Sequence, residues 1–207
     1  MLRSLLQFLT PDDRKETLFI VYVNIAQGKD SLIASINDEF SKHVEEGLLH
    51  IIEPPTNFYP KRESAEKKFK ISWNVTAQHS KDNLDIAYLM MYARTKAAFY
   101  VQLSLDLLAV PQYATKVKNF AIKKASLKET WFALSFSTQG CSGKLYRSND
   151  LDRLILFFLM YHDVKPCDWI ALSLAGTIFC HLEKENCDGV IKKQTRQYRP
   201  VLFKKAS

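Results

Sequence analysis

Thr17-Leu-Phe-Ile-Val-Tyr-Val23 is an unbroken run dominated by β-branched, aliphatic and aromatic residues. A strand sends alternate side chains to opposite faces, so this run shows apolar groups on both and reads as a strand buried on both sides. Sheets of that kind carry helices on each face. The flanking sequence agrees. Gly28 and Lys29-Asp30-Ser31 punctuate the chain, and Leu32, Ile33, Ile36 and Phe40 then recur at helical spacing, with Asp30 or Ser31 as N-cap. Gly47 ends that segment, Leu48-Leu-His-Ile-Ile52 reads as a second strand, and Pro54, Pro55 and Pro60 force an irregular stretch.

Further along, Lys61 to Lys81 is the most polar stretch and reads as a long surface loop around Phe69, Ile71 and Trp73. Leu84 to Ala98 is apolar nearly all round and predicts a buried helix. Ala98 to Leu103 predicts a third strand, Tyr113 to Ala125 a helix, and Thr130 to Phe136 a fourth strand. Gly140 and Gly143 bracket a turn, Leu151 to Tyr161 is a strongly apolar helix, and Asp168 to Thr177 fits another. Strands alternating with helices predict an α/β three-layer domain with a mostly parallel sheet. Ligands of such sheets bind beyond the carboxyl ends of the strands, which directs attention to the loop after Leu103.

The 207 residues are 47% apolar and 25% charged, which excludes a disordered chain and fits one domain. The formal charge of +7 is scattered in doublets such as Lys67-Lys68 and Lys192-Lys193. It favours phosphates or acidic partners by steering, and predicts no nucleic-acid face. Met1 to Leu9 is amphipathic but too short for a signal peptide, and Leu154 to Met160 is far below the roughly 18 apolar residues of a membrane span. Cys141, Cys167, Cys180 and Cys187 lack the spacing of a zinc site; Cys180 and Cys187 could close a short loop in an oxidising compartment.

Generic motifs are absent: there is no GxGxxG, no Walker A loop, no GxSxG and no HExxH. His50 lies in a strand, His43 near a helix end, and His79, His162 and His181 in loops, which suits structural or solvated roles better than catalysis. Asp106, just past the third strand, is a turn residue or helix cap if it stands alone. Asp82 and Asp85 bracket the start of a helix, where negative charge suits the dipole.

A set of ordered segments carries more information. Glu53-Pro-Pro-Thr-Asn-Phe-Tyr-Pro60, Asn83-Leu-Asp-Ile-Ala-Tyr-Leu-Met-Met-Tyr-Ala93, Tyr100-Val-Gln-Leu103, Lys118-Asn-Phe-Ala121, Gly143-Lys144, Lys165-Pro166 with Asp168-Trp169, and Arg199-Pro200 before Leu202-Phe203 recur in that order. Over nearly its whole length the chain resembles the N-acetylglucosaminyltransferase IV family, Golgi enzymes that add a β1,4-linked GlcNAc branch to the α1,3 mannose arm of N-glycans. The resemblance implies a GT-A type nucleotide-sugar domain that uses UDP-GlcNAc and a divalent metal, usually Mn²⁺.

The departures from that pattern fall on functional positions. Where the family carries Glu-Asp-Asp after Gln-Leu, this chain has Ser104-Leu105-Asp106. A hard divalent cation on a diphosphate wants carboxylate oxygens, and Asp106 alone keeps one. The family's Asp-His pair after Asp-Trp, whose acid is a candidate general base, is Leu172-Ser173 here, and leucine takes no proton. The His that completes the family's metal site is replaced by Lys205, which with Arg199 could neutralise a diphosphate instead.

Relative to the resemblance, the segment reads as a single partial domain without the family's first strand, membrane anchor or C-terminal carbohydrate-binding domain, as a fragment or short isoform would. These losses predict a degenerate member, a pseudoenzyme with no bound cofactor, acting by interaction with other Golgi glycosyltransferases. The alternative is an active GlcNAc transferase acting on an N-glycoprotein acceptor. The resemblance places it in the Golgi lumen, and the lack of a signal or anchor in these residues leaves a cytoplasmic protein as the alternative. Cys180 and Cys187 match a family cysteine pair and are expected to form a disulfide there, and Asn74-Val-Thr76 is an N-glycosylation sequon in the polar loop.

Overall fold

The computed structural model describes residues 1–55, 57–60, 77–127, 131–137 and 140–171, with 203–205 as backbone. The Asn74 sequon, Leu172, Cys180, Cys187, Arg199, and most of the segments 61–81 and 168–177 lie outside the described residues. The chain opens with two short helices, α1 (Leu2–Gln7) and α2 (Pro11–Glu16). Strand β1 (Phe19–Tyr22) then leads through helix α3 (Lys29–Glu45) to β2 (Leu49–Ile52), which lies parallel to β1 with Phe19 opposite Leu49 and Tyr22 opposite Ile52. This is the strand–helix–strand unit that Thr17 to Val23 announced. Helix α4 (Ala77–Ala93) follows.

The period of two fixes which helix meets which face. Ile20 packs with Ala87 and Met90 of α4, Tyr22 reaches Asp85, and His50 hydrogen-bonds Tyr92. The even positions of both strands therefore face α4. Phe19 packs in the other cluster, around Leu5, Tyr113 and Trp131.

The rest of the sheet is not parallel. Strand β3 (Phe99–Gln102) pairs antiparallel with β6 (Lys144–Arg147), which pairs antiparallel with β5 (Leu134–Ser135), in the order β3-β6-β5. A third, two-stranded antiparallel sheet joins β4 (Leu107–Ala109) to β7 (Phe203–Lys205). The expectation of a mostly parallel sheet is corrected: among the described residues only β1 and β2 run parallel. The cause is the connection from β5 to β6. A parallel return needs a crossover of a dozen or more residues, and here the chain turns back through Gly140 to Gly143. Gly143 has φ 68°, and a Cβ there would lie 2.4 Å from the Ser137 Cβ, so only glycine allows this close return.

The β3-β6-β5 sheet separates two cores. Tyr100 and Tyr146 face Ala87 and Met90 of α4 and the buried stripe Leu151, Leu154, Ile155 and Phe158 of α6 (Leu151–Tyr161). Leu134 and Leu145 face the opposite way, with Val117 and Ala121 of α5 (Tyr113–Ser126). A disulfide between Cys141 and Cys167, with Cα atoms 6.0 Å apart, ties the β5–β6 turn to the segment after α6.

One buried charge secures the N-terminal helices. Asp13 is 3% exposed. Its carboxylate accepts hydrogen bonds from the hydroxyls of Thr10 and Thr115 and lies 3.7 Å from the Lys118 ammonium, while the Thr10 hydroxyl caps the Asp13 N–H. Burial is the largest influence and pushes its pKa up, but the hydroxyl and backbone hydrogen bonds, with Lys118, carry it below the ordinary 3.8. Asp13→Ala should lower the unfolding free energy by about 1–3 kcal/mol in urea at neutral pH. A depressed pKa gives stability that is complete above the ordinary carboxylate value and disappears as pH falls through the folded one. The two urea curves should therefore draw together in acid, and a gap that persists unchanged would show that the charge is not the source.

Candidate functional site

Beyond the carboxyl ends of β1 and β2, three segments meet on one carboxylate. Tyr22 is the last residue of β1 and Asn24 follows it; Tyr59 comes from the proline-bounded segment after β2; Lys81 and Asp85 lie one turn apart on α4. Asp85 Oδ1 accepts from the Tyr59 hydroxyl, from Asn24 Nδ2 at 3.0 Å and from the Tyr22 hydroxyl at 3.2 Å, while Oδ2 faces Lys81 Nζ at 3.0 Å. Lys81 also donates to the Asn24 carbonyl at 3.3 Å. Phe58, Tyr22 and Tyr88 surround the group: Phe58 and Tyr88 have ring centroids 4.9 Å apart, and Tyr22 and Tyr88 5.6 Å.

The electrostatics keep the phenols neutral. At Tyr22, burial is the main cause of a raised pKa; the hydrogen bond with Tyr59 pulls it back, and the Asp85 charge pushes it up again. At Tyr59, burial and then the bonds to Asp85 and Tyr22 all act upward. The result is a half-buried patch of fixed hydroxyl, amide and ammonium groups rimmed by aromatic faces, in the position where an α/β layer takes a polar ligand.

Reading residues singly missed this patch. Asp85 does not stand at a helix start: α4 begins at Ala77, so Asp85 is in its third turn. The signal that could have found it was the pair of segments Glu53 to Pro60 and Asn83 to Ala93, which the fold brings together through Tyr59 and Asp85. Nor is His79 in a loop, since α4 includes it. The other described histidines do sit in structural pairs. His43 meets Arg14, His50 meets Tyr92, and His162 meets Ser80.

The second candidate site is the turn after β3. Ser104 donates to Asp106 and lies 2.9 Å from the Ser142 hydroxyl, which also accepts the Ser104 N–H at 2.8 Å. Leu105 projects outward at 82% exposure. Antiparallel pairing of β4 with β7 puts Lys205 opposite Leu107, one position from Asp106. The backbone thus brings together two residues that lie almost a hundred positions apart in sequence. The oxygen donors of this turn are one carboxylate and two hydroxyls, and one hydroxyl is committed to that carboxylate. That set falls short of the several carboxylates of a calcium-type cage; a small octahedral cation that keeps its waters and sits on one or two carboxylates would find Asp106 alone in this turn. Among the described residues no cluster of three or more His, Cys, Asp or Glu could hold a metal ion.

Helix α4 connects the two regions. Asn83 is 1% exposed and donates to the carbonyls of His162 and Lys165, both at 2.8 Å. It fixes the turn that leads to Cys167 and the helical residues 167–171. Cys167 in turn holds Cys141, the neighbour of Ser142. Sequence spacing gave no hint of the Cys141–Cys167 pair.

The family model described as the MGAT4 conserved region matches residues 1–207. The chain belongs to the MGAT4 family. It is 33% identical to alpha-1,3-mannosyl-glycoprotein 4-beta-N-acetylglucosaminyltransferase A of Xenopus tropicalis and to that of Mus musculus, each over 98% of this chain and 38% of the relative. It is 34% identical to the B enzyme of Danio rerio, over 98% of this chain and 37% of that one. The chain therefore spans less than two fifths of the length of these MGAT4 relatives. No solved structure matches it. Among the described residues no helix is long and apolar enough to cross a membrane.

For this MGAT4 chain the Asp85 patch yields a direct expectation. A raised phenol pKa gives stability that is complete below the ordinary value of 10.0 and is lost as pH rises through the folded one. In an alkaline absorbance titration, Tyr22 and Tyr59 should resist ionisation together with the buried Tyr100, Tyr113 and Tyr146, and Phe substitution of Tyr22 and Tyr59 assigns their share of the signal. Asp85→Ala should lower the values of Tyr22 and Tyr59 part of the way toward 10.0, since burial remains, and leave the other three unchanged; it should cost about 1–3 kcal/mol by stripping the shared acceptor. Unchanged tyrosine titration in the variant would remove Asp85 from the centre of the patch.

Proposed function

We propose that this chain is a GT-A type N-acetylglucosaminyltransferase-like domain that keeps a polar ligand patch and has lost metal-dependent transfer, so that it acts by interaction within the N-glycan branching system of the Golgi lumen. The carrying observation is the turn at Ser104, Leu105 and Asp106, with one carboxylate, a serine hydroxyl directed onto it, and a leucine turned to solvent. Metal-assisted displacement of a nucleotide diphosphate needs a cation held against developing negative charge, and Asp106 is the one carboxylate this turn offers to hold it. The parallel β1–β2 pair, with α3 and α4 against it, supports the GT-A reading. The Asp85 patch at its carboxyl end supports retention of a weak nucleotide-sugar contact through hydrogen bonds alone. The family's UDP-GlcNAc and Mn²⁺ are accordingly not cofactors of this chain, and glycosyltransferases that act on the same glycans are its partners.

One observation favours a second reading, an active GlcNAc transferase that dispenses with metal. Pairing of β4 with β7 sets Lys205 beside Asp106 along the backbone, where an ammonium group could take over part of a metal's work on a diphosphate leaving group. Calorimetry separates the two. UDP-GlcNAc should bind no more tightly than about 1 mM, near −4 kcal/mol, with no gain on adding Mn²⁺ and no change in Lys205→Ala. Loss of binding in Lys205→Ala would favour the metal-free transferase, and tight Mn²⁺-dependent binding would refute both readings.

A further inference from the structure

A groove unrelated to the Asp85 patch runs along the outer edge of β2. Its volume is roughly 390 Å³, and its lining takes five consecutive positions of that strand, from Leu49 to Glu53, with Ile33 and Val44 of α3 and Tyr92 of α4. Consecutive strand residues point to opposite faces of a sheet. Only a groove that follows the strand edge can touch them all, with α3 from one face and Tyr92 from the other.

That edge is open. β2 pairs with β1 alone, and among the described residues nothing pairs with its other side. The carbonyls of Leu48 and Ile52 accept from Phe19 and Val23, so positions 48, 50 and 52 turn their main-chain groups toward β1. In a parallel pair the intervening residues face away, so Leu49, Ile51 and Glu53 direct their amides and carbonyls into the groove. Among the described residues the devices that normally blunt an edge are missing. Leu49-His-Ile-Ile52 holds no lysine, proline or bulge, and the prolines come only afterwards, at Pro54 and Pro55. Helix α3 repeats the theme: despite Ile33, Ile36 and Phe40, none of its side chains is fully buried.

We infer that the β2 edge is a docking groove for an extended peptide segment of a partner protein, which adds a strand beside Leu49–Glu53 beneath α3. Length and charge select this occupant over a second copy of the chain. Five strand residues span only about 17 Å, too little for the roughly 800 Å² per partner of a stable dimer. Two copies would also bring +7 against +7. In a symmetric β2–β2 pair, moreover, the overhanging α3 helices and Tyr92 rings of both copies would compete for the same recess. The lining holds one carboxylate, Glu53, and Lys29 neutralises it. The fitting segment is therefore uncharged, alternating apolar residues that meet Ile33 and Val44 with small polar ones.

The test uses a fluorescein-labelled pool of capped hexapeptides alternating threonine with valine, isoleucine, leucine or phenylalanine, titrated with the full chain and read by anisotropy. Saturable binding is expected. It should weaken at least about tenfold in Ile51→Pro, which removes an amide that none of the described strands uses, and in Ile33→Glu, which puts a charge in the groove wall. Circular dichroism checks that both variants fold, and Ile33→Glu, on a half-exposed helix position, carries the test if the proline variant does not. Absence of saturable binding, or equal binding to a folded Ile33→Glu variant, overturns the proposal. So does self-association in sedimentation that Ile33→Glu or Ile51→Pro abolishes, because the occupant would then be a second copy.

Discussion

Asn83 spends its side-chain amide on two carbonyls of a single turn, at His162 and Lys165, with almost no access to water. A buried amide left unmatched costs on the order of 1–3 kcal/mol, so this residue locks α4 against the end of α6 in one register. Much follows from that register. Two positions on, Asp85 must face the β1 end, where Tyr22, Asn24 and Tyr59 converge on it. One turn back, Ser80 meets His162. The helix that forms the wall of the α4–α6 core also sets the polar patch.

The antiparallel sheet supplies the other half of the frame. Gly143 lets β6 return against β3 and β5, and the same turn carries Ser142 to the Ser104 hydroxyl and Cys141 to Cys167. The turn at Ser104 to Asp106 is therefore well anchored. The turn closes on itself through Ser104 and Asp106, and its middle residue is a solvent-facing leucine.

Much of this frame was legible in the sequence. Thr17 to Val23 and Leu48 to Ile52 announced the parallel pair because both runs are apolar on both faces, and Leu32, Ile33, Ile36 and Phe40 announced α3. The antiparallel sheet was not legible. Its central strand, Lys144–Arg147, is four residues with a cation at each end and looks like the continuation of a turn; only tertiary burial of Leu145 and Tyr146 makes it a strand. Thr130 to Phe136 looked like a longer strand than the two residues that pair. Asp85 was misplaced because the first turn of α4, Gln78 to Lys81, is polar and reads as loop. The patch itself depends on Tyr59 and Asp85 meeting across 26 positions, which no local pattern encodes. The family resemblance put Asp106 and Lys205 in one site, while the pairing of β4 with β7 that sets Lys205 opposite Leu107 has no local signal.

The central claim is that a well-formed family scaffold here persists without metal-dependent transfer. The most direct measurement incubates the chain with UDP-GlcNAc, Mn²⁺ and a biantennary N-glycan, and follows the glycan by mass spectrometry beside a relative such as the A enzyme of Mus musculus. The account expects the relative to add one GlcNAc and this chain to leave the glycan unchanged at matched protein concentration. A GlcNAc adduct that appears with Mn²⁺ and disappears with chelator would contradict it, because Asp106 would then suffice to seat the cation.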